Sequence, residues 1–130
     1  MATVLTARNI RYKPLQVSHG FHSVLMEPML AAFEQQVQAV SFNLPAIEVI
    51  SSVTGQPVTT ELTQPDYWVN QIRQPVQFAQ AMTTLIDRGY NSFVELGSRP
   101  ALLAMGQTCE PEAKALWLPS LAPSRQQASQ

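Results

Sequence analysis

The chain is poor in charge and nearly devoid of cysteine. Only 13% of its 130 residues are charged, against about 25% in an average soluble domain, and glutamine, with 14 copies, fills much of the gap. The formal net charge of −1 offers no long-range attraction to nucleic acid or to an anionic membrane, and no basic stripe is visible. Cys109 stands alone, which excludes an internal disulfide and makes a reducing, cytoplasmic interior the simplest setting. With no second cysteine nearby, it reads as a buried structural thiol rather than a nucleophile. Uninterrupted apolar stretches last only a few residues, too short for a spanning helix. No internal repeat occurs, and no Gly-x-Ser-x-Gly elbow is present to carry a nucleophile.

What remains is globular in character, with 45% apolar residues, and amounts to one ordinary domain or a piece of a larger one. Arg8, Arg11 and Lys13 with no acid before Glu27 are a feature of transit peptides. However, Ile10 to Val17 alternates like a strand, and no apolar signal-peptide core accompanies it. From Leu25, apolar residues at Met29, Leu30, Phe33, Val37 and Val40 fall at helical spacing, the regular helix starting near Pro28. Ile47 to Ser52 reads as a β-branched strand closed by a turn around Gly55 and Pro57. Asp66 to Arg88 is helical with a break at Pro75 and a stop at Gly89. A strand over Ser92 to Leu96, a helix from Pro100 to about Cys109 and a strand over Ala115 to Leu118 follow. Strand and helix alternate throughout, which argues for an α/β fold: a partial parallel sheet flanked by helices.

Both histidines lie in the run Val17-Ser18-His19-Gly20-Phe21-His22-Ser23. Histidine exchanges protons near neutral pH, so chemistry is sought here first. Three readings compete: two loop histidines satisfied by backbone, a metal pair, or a general base at a strand-to-helix junction. A metal pair needs a further ligand, and only Glu27 is near. At such a junction the helix N-terminus would disfavour the imidazolium and help keep a neutral, proton-accepting ring.

The surrounding residues narrow the choice. Ser18-His19-Gly20-Phe21-His22-Ser23-x-Leu25-Met26-Glu27-Pro28, Tyr67-Trp68-Val69, Arg73-x-Pro75-Val76-x-Phe78, Phe93-Val94-Glu95-Leu96-Gly97, Leu102-Leu103-x-Met105-Gly106 and Trp117-Leu118-Pro119-Ser120-Leu121 occur in order. Together they closely resemble the acyltransferase domain of modular (type I) polyketide synthases, a relative of malonyl-CoA:acyl carrier protein transacylase. Ser98 and Gly20 depart from the family, which usually has proline and alanine at those places.

The resemblance implies the C-terminal part of the large α/β-hydrolase-like subdomain of an acyltransferase over residues 18–121. Residues 1–17 would be the end of the small ferredoxin-like subdomain, and 122–130 a flexible linker. It implies ping-pong transfer of a malonyl unit from CoA to an acyl carrier protein through an acyl-serine, with His22 as the base. In this family backbone carbonyls ahead of the Pro-Val-x-Phe segment hold the histidine, which points to Gln71. A carbonyl accepting the Nδ1 proton would leave Nε2 free. His19 and Phe21, in a His-x-Phe-His signature associated with malonyl units, would line the substrate pocket, Phe21 filling the space of an α-methyl. Tyr67, Trp68 and Phe78 read as packing aromatics. Arg73 is open to a carboxylate or a linker, with solvation the commoner fate. The implied partners are the acyl carrier protein, the ketosynthase and the rest of the synthase, with malonyl-CoA as substrate. No metal, nucleic acid or membrane is implied, and no cofactor is expected in the chain itself; the phosphopantetheine belongs to the carrier protein. The family's serine, oxyanion-hole glutamine and malonyl-clamping arginine have no counterpart in the sequence, so the chain is expected to be inactive alone. The alternative is a truncated, non-catalytic scaffold of a polyketide synthase.

Overall fold

The computed structural model describes residues 2–10, 17–109, 112 and 114–121. The strand expected over Ile10 to Val17 falls mostly outside this set, as does the tail at 122–130. Among the described residues, no helix is long and apolar enough to cross a membrane.

Helix α1 (Ala2–Ala7) has no counterpart among the expected elements. It closes with Asn9 at φ +54°. Asn9 N–H meets Thr6 O and Ile10 N–H meets Leu5 O, the paired bonds that satisfy a helix's last carbonyls. Next come a 3-10 turn, Val24–Met26, and α2, Glu27–Gln38, with Pro28 at its start, where a missing N–H costs nothing.

The residues after α2 form a short antiparallel hairpin, β1 (Val49–Ile50) with β2 (Pro57–Val58). β1 was expected to join a parallel sheet, and it does not. The chain reverses at once instead, Ser51 N–H bonding Gln56 O and Gly55 N–H bonding Ser51 O. A local turn closes with less loss of chain entropy than a long crossover. Gly55 has φ +69°, and a Cβ there would lie 2.5 Å from Gln80 Cγ. Only glycine fits.

Helices α3 (Pro65–Arg73) and α4 (Phe78–Asp87) flank the break at Pro75. Gly89, φ +87°, ends α4 through its own N–H to Ile86 O and that of Tyr90 to Leu85 O. β3 (Ser92–Glu95), α5 (Leu102–Cys109) and β4 (Leu116–Pro119) complete the order. β3 and β4 are parallel, with Phe93 opposite Trp117, their rings stacked at 4.6 Å. α5 packs on this pair. It comes close because position 106 is glycine: a Cβ there would lie 2.6 Å from Trp117 Cζ3. The α/β class therefore holds, with the parallel sheet reduced to two strands among the described residues.

Three polar devices lock these pieces. Ser51, fully buried, bonds the Tyr67 hydroxyl at 2.9 Å and accepts the Val53 N–H, tying the hairpin to α3. Thr84 donates to Gly55 O at 2.6 Å, tying it to α4. Glu95 accepts the N–H groups of Ala101, Leu102 and Leu103, capping α5 from the adjacent strand. These bonds, that to Ala101 foremost, hold its carboxyl below the usual carboxylate range.

Candidate active site

The histidine loop is closed by its own serine. Ser23 sits in the extended region and caps the 3-10 turn, its Oγ accepting the Leu25 N–H and donating to Gly20 O at 2.6 Å. Position 22 then takes a left-handed conformation, φ +59°, uncommon for a residue with a Cβ. Two long-range bonds hold it there. The His22 N–H donates to Ile72 O at 2.9 Å, and Nδ1 lies 3.0 Å from Gln74 O. A carbonyl can only accept, so Nδ1 carries the ring proton and Nε2 presents its lone pair. Nε2 has no hydrogen-bond partner among the described residues.

The carbonyl at Nδ1 is therefore that of Gln74 and not that of Gln71. Gln71 lies inside α3, one turn too early. Gln74 is the residue before Pro75, which drives it out of the helical region to φ −80°, ψ 150°. Its carbonyl consequently leaves the helix direction and turns toward the loop. That proline was the sequence signal for the anchoring residue.

His19 and Phe21 share the loop but not the anchoring. Among the described residues, His19 Nδ1 bonds the neighbouring Ser18 Oγ alone, at 2.9 Å. Its ring meets that of Phe21, centroids 5.8 Å apart, and Phe21 is 56% exposed. Glu27, the one carboxylate near the histidines in sequence, is engaged by Arg73, Nε to Oε1 at 2.9 Å. Tyr67 is bound to Ser51, and Trp68 donates to Leu62 O while stacking on Phe42. Both pack rather than face the histidine loop. Cys109 is a half-buried free thiol. A cleft of about 630 Å³ opens between the hairpin and α3, walled by Val58, Glu61, Asp66 and Tyr67. No residue of the histidine loop lines it, so it is separate from this site.

One imidazole is thus fixed by backbone at one nitrogen and open at the other, which is how a general base is held. The sequence model described as "Acyl transferase domain" matches residues 1–128. The chain belongs to the acyl transferase domain family. It is 42% identical over 132 residues to polyketide synthase GfsB of Streptomyces halstedii, covering 96% of the chain and 2% of GfsB. The PKS-NRPS hybrid synthetase acdB of Aspergillus candidus is 41% identical over 116 residues, covering 87% of the chain and 5% of acdB. Among solved structures, the acyltransferase domain from the second module of the salinomycin polyketide synthase superposes with a TM-score of 0.88 at 39% identity. That match covers 95% of the chain and 29% of the salinomycin domain. The chain thus spans a few per cent of these synthases and under a third of that acyltransferase structure.

Proposed function

We propose that this chain supplies the general base and part of the acyl pocket of a polyketide synthase site that transfers malonyl units. The serine nucleophile would come from polypeptide outside these 130 residues. The observation that carries the reading is the His22 ring, anchored through Nδ1 to Gln74 O at 3.0 Å with Nε2 open.

In this mechanism Nε2 takes the serine Oγ proton as Oγ attacks the thioester carbonyl of malonyl-CoA. The C–O bond forms and the C–S bond breaks, and the imidazolium returns the proton to the departing CoA sulfur. In the second half-reaction Nε2 takes the proton of a carrier protein's phosphopantetheine thiol. The sulfur attacks the acyl-serine and the serine oxygen leaves, recovering the proton. The Gln74 carbonyl keeps Nδ1–H in place throughout, so the transferred proton always resides on Nε2. Phe21, exposed beside His19, favours malonyl over methylmalonyl by crowding the α-carbon. Ser23 is no nucleophile, its hydroxyl being committed to Gly20 O and the Leu25 N–H. The acyl carrier protein and ketosynthase of the same assembly are the expected partners.

The test is reconstitution. The chain with labelled malonyl-CoA should form no covalent adduct alone. Mixed with a polypeptide bearing the family's Gly-x-Ser-x-Gly segment, it should form an acyl-serine that His22→Ala abolishes far more severely than His19→Ala. Equal losses from the two variants would remove His22 as the base. An adduct on the chain alone would refute the division of labour.

A further inference from the structure

We propose that Arg73 and Glu27 form a clamp that sets the tautomer of His22; the functional meaning of that clamp rests on the reading of His22 as the base. Three consecutive residues at the end of α3 reach the same segment. The carbonyls of Ile72 and Gln74 go to His22, and the guanidinium of Arg73, between them in sequence, goes to Glu27.

The α3 end keeps its last helical bond, Gln74 N–H to Asn70 O at 2.8 Å, and the helix packs on α2 and on the Val24–Met26 turn. Pro75 has no N–H to return to the helix. The next backbone tie is Gln77 N–H to Ser52 O, at 2.8 Å. On the other side, Glu27 opens α2 directly after the Ser23-capped turn that follows His22. The Arg73–Glu27 contact adds a charged tie to that packing, between the two stretches of chain across which Nδ1 and Gln74 O must meet. At 3.0 Å that bond has little slack: beyond about 3.5 Å it is no longer a hydrogen bond. Without the clamp the ring reverts toward the free imidazole preference, in which Nε2 carries the proton and cannot act as a base.

A rival explanation is local. Glu27 lies in the first turn of α2 and Arg73 in the last turn of α3, where each charge suits its own helix dipole. A charge exchange separates the two, because it restores the pair while setting both charges against their dipoles.

The test uses the full 130-residue chain, labelled with 15N, and long-range 1H–15N NMR of His22 at mildly alkaline pH, with far-UV circular dichroism to confirm folding. The native chain should show a protonated Nδ1. Arg73→Gln and Glu27→Gln should at least halve that population, and the exchange Glu27→Arg with Arg73→Glu should restore it. Glu27→Asp, which keeps the charge but shortens the reach, should give a partial loss and serves if the neutral variants fail to fold. Folded single variants that keep the native tautomer, or an exchange variant that folds without restoring it, would overturn the clamp and leave the base reading intact. A native ring protonated at Nε2 would overturn both.

Discussion

The left-handed backbone at His22 makes an unusual ordering of variants the sharpest check on the site. A residue with a Cβ pays roughly 1–2 kcal/mol at φ near +60°, and glycine pays nothing for the steric contact. The side chain of His22 offsets part of that cost through its bond to Gln74 O, worth about 0.5–1.5 kcal/mol net. His22→Ala keeps the backbone strain and loses the bond, so it should destabilise the chain by about 1 kcal/mol. His22→Gly loses the same bond but sheds the strain, against roughly 0.4–1 kcal/mol of extra freedom in the unfolded chain. Glycine should therefore be the more stable of the two by about 1 kcal/mol, although it is the more drastic truncation. With a urea slope of about 1–3 kcal/mol/M, the midpoints should differ by roughly 0.3–1 M, read from the fluorescence of Trp68 and Trp117. Both variants should be equally dead in the reconstituted acylation. An alanine variant as stable as the glycine variant would mean that position 22 is not left-handed in solution. The anchoring geometry would then be wrong.

Other consequences follow from particular contacts. Gly106→Ala would drive a Cβ to 2.6 Å from a Trp117 ring already stacked on Phe93; overpacking of about 1–3 kcal/mol should exceed the helix-propensity gain of about 1 kcal/mol, lowering Tm, and an unchanged or higher Tm would show that α5 does not approach that closely. Glu95 has a folded pKa depressed by backbone N–H groups at the α5 start, so its contribution is present above the unfolded value of about 4.3 and is lost as pH falls through the folded one. Glu95→Gln should accordingly flatten the acid limb of a stability–pH profile, and an unaltered limb would argue against the cap. In a complete domain carrying this loop, Phe21→Ser should raise the methylmalonyl-to-malonyl ratio of kcat/KM by up to the roughly 10–200-fold that one methyl can command; a constant ratio would remove Phe21 from the specificity argument.

The elements legible in the sequence are those written in punctuation. Pro28 at the start of α2, Pro75 between α3 and α4, and Gly89 beyond α4 each mark a boundary that the backbone chemistry of one residue enforces. The His22 loop was legible as a motif, because six short segments occur in a family's order. The hairpin pairing was not, since β1 and β2 are two residues each, too short for any alternation to show. The anchor at Gln74 escaped because a carbonyl is common to every residue, and only the neighbouring proline distinguishes this one. Nor could spacing show that Arg73 meets Glu27, 46 positions away.

The parallel strands carry one more piece of physics that bears on the site. Phe93 and Glu95 face the helices, the first in the groove with Phe78 and Met82, the second at the start of α5. Between and opposite them, Val94, Leu96, Leu116 and Leu118 stand 57%, 84%, 55% and 42% exposed. Strands that are apolar on both faces belong to parallel sheets covered on both faces. Fully burying such a side chain is worth about 1.5–3 kcal/mol, so covering four half-exposed ones is worth on the order of 4 kcal/mol. That is a sizeable share of the 5–15 kcal/mol that holds a whole domain together, and equals about a thousandfold in an association equilibrium. Any polypeptide that covered this face of β3 and β4 would gain that much. On the proposed reading of His22, energy for completing the site is thus available away from the histidine loop.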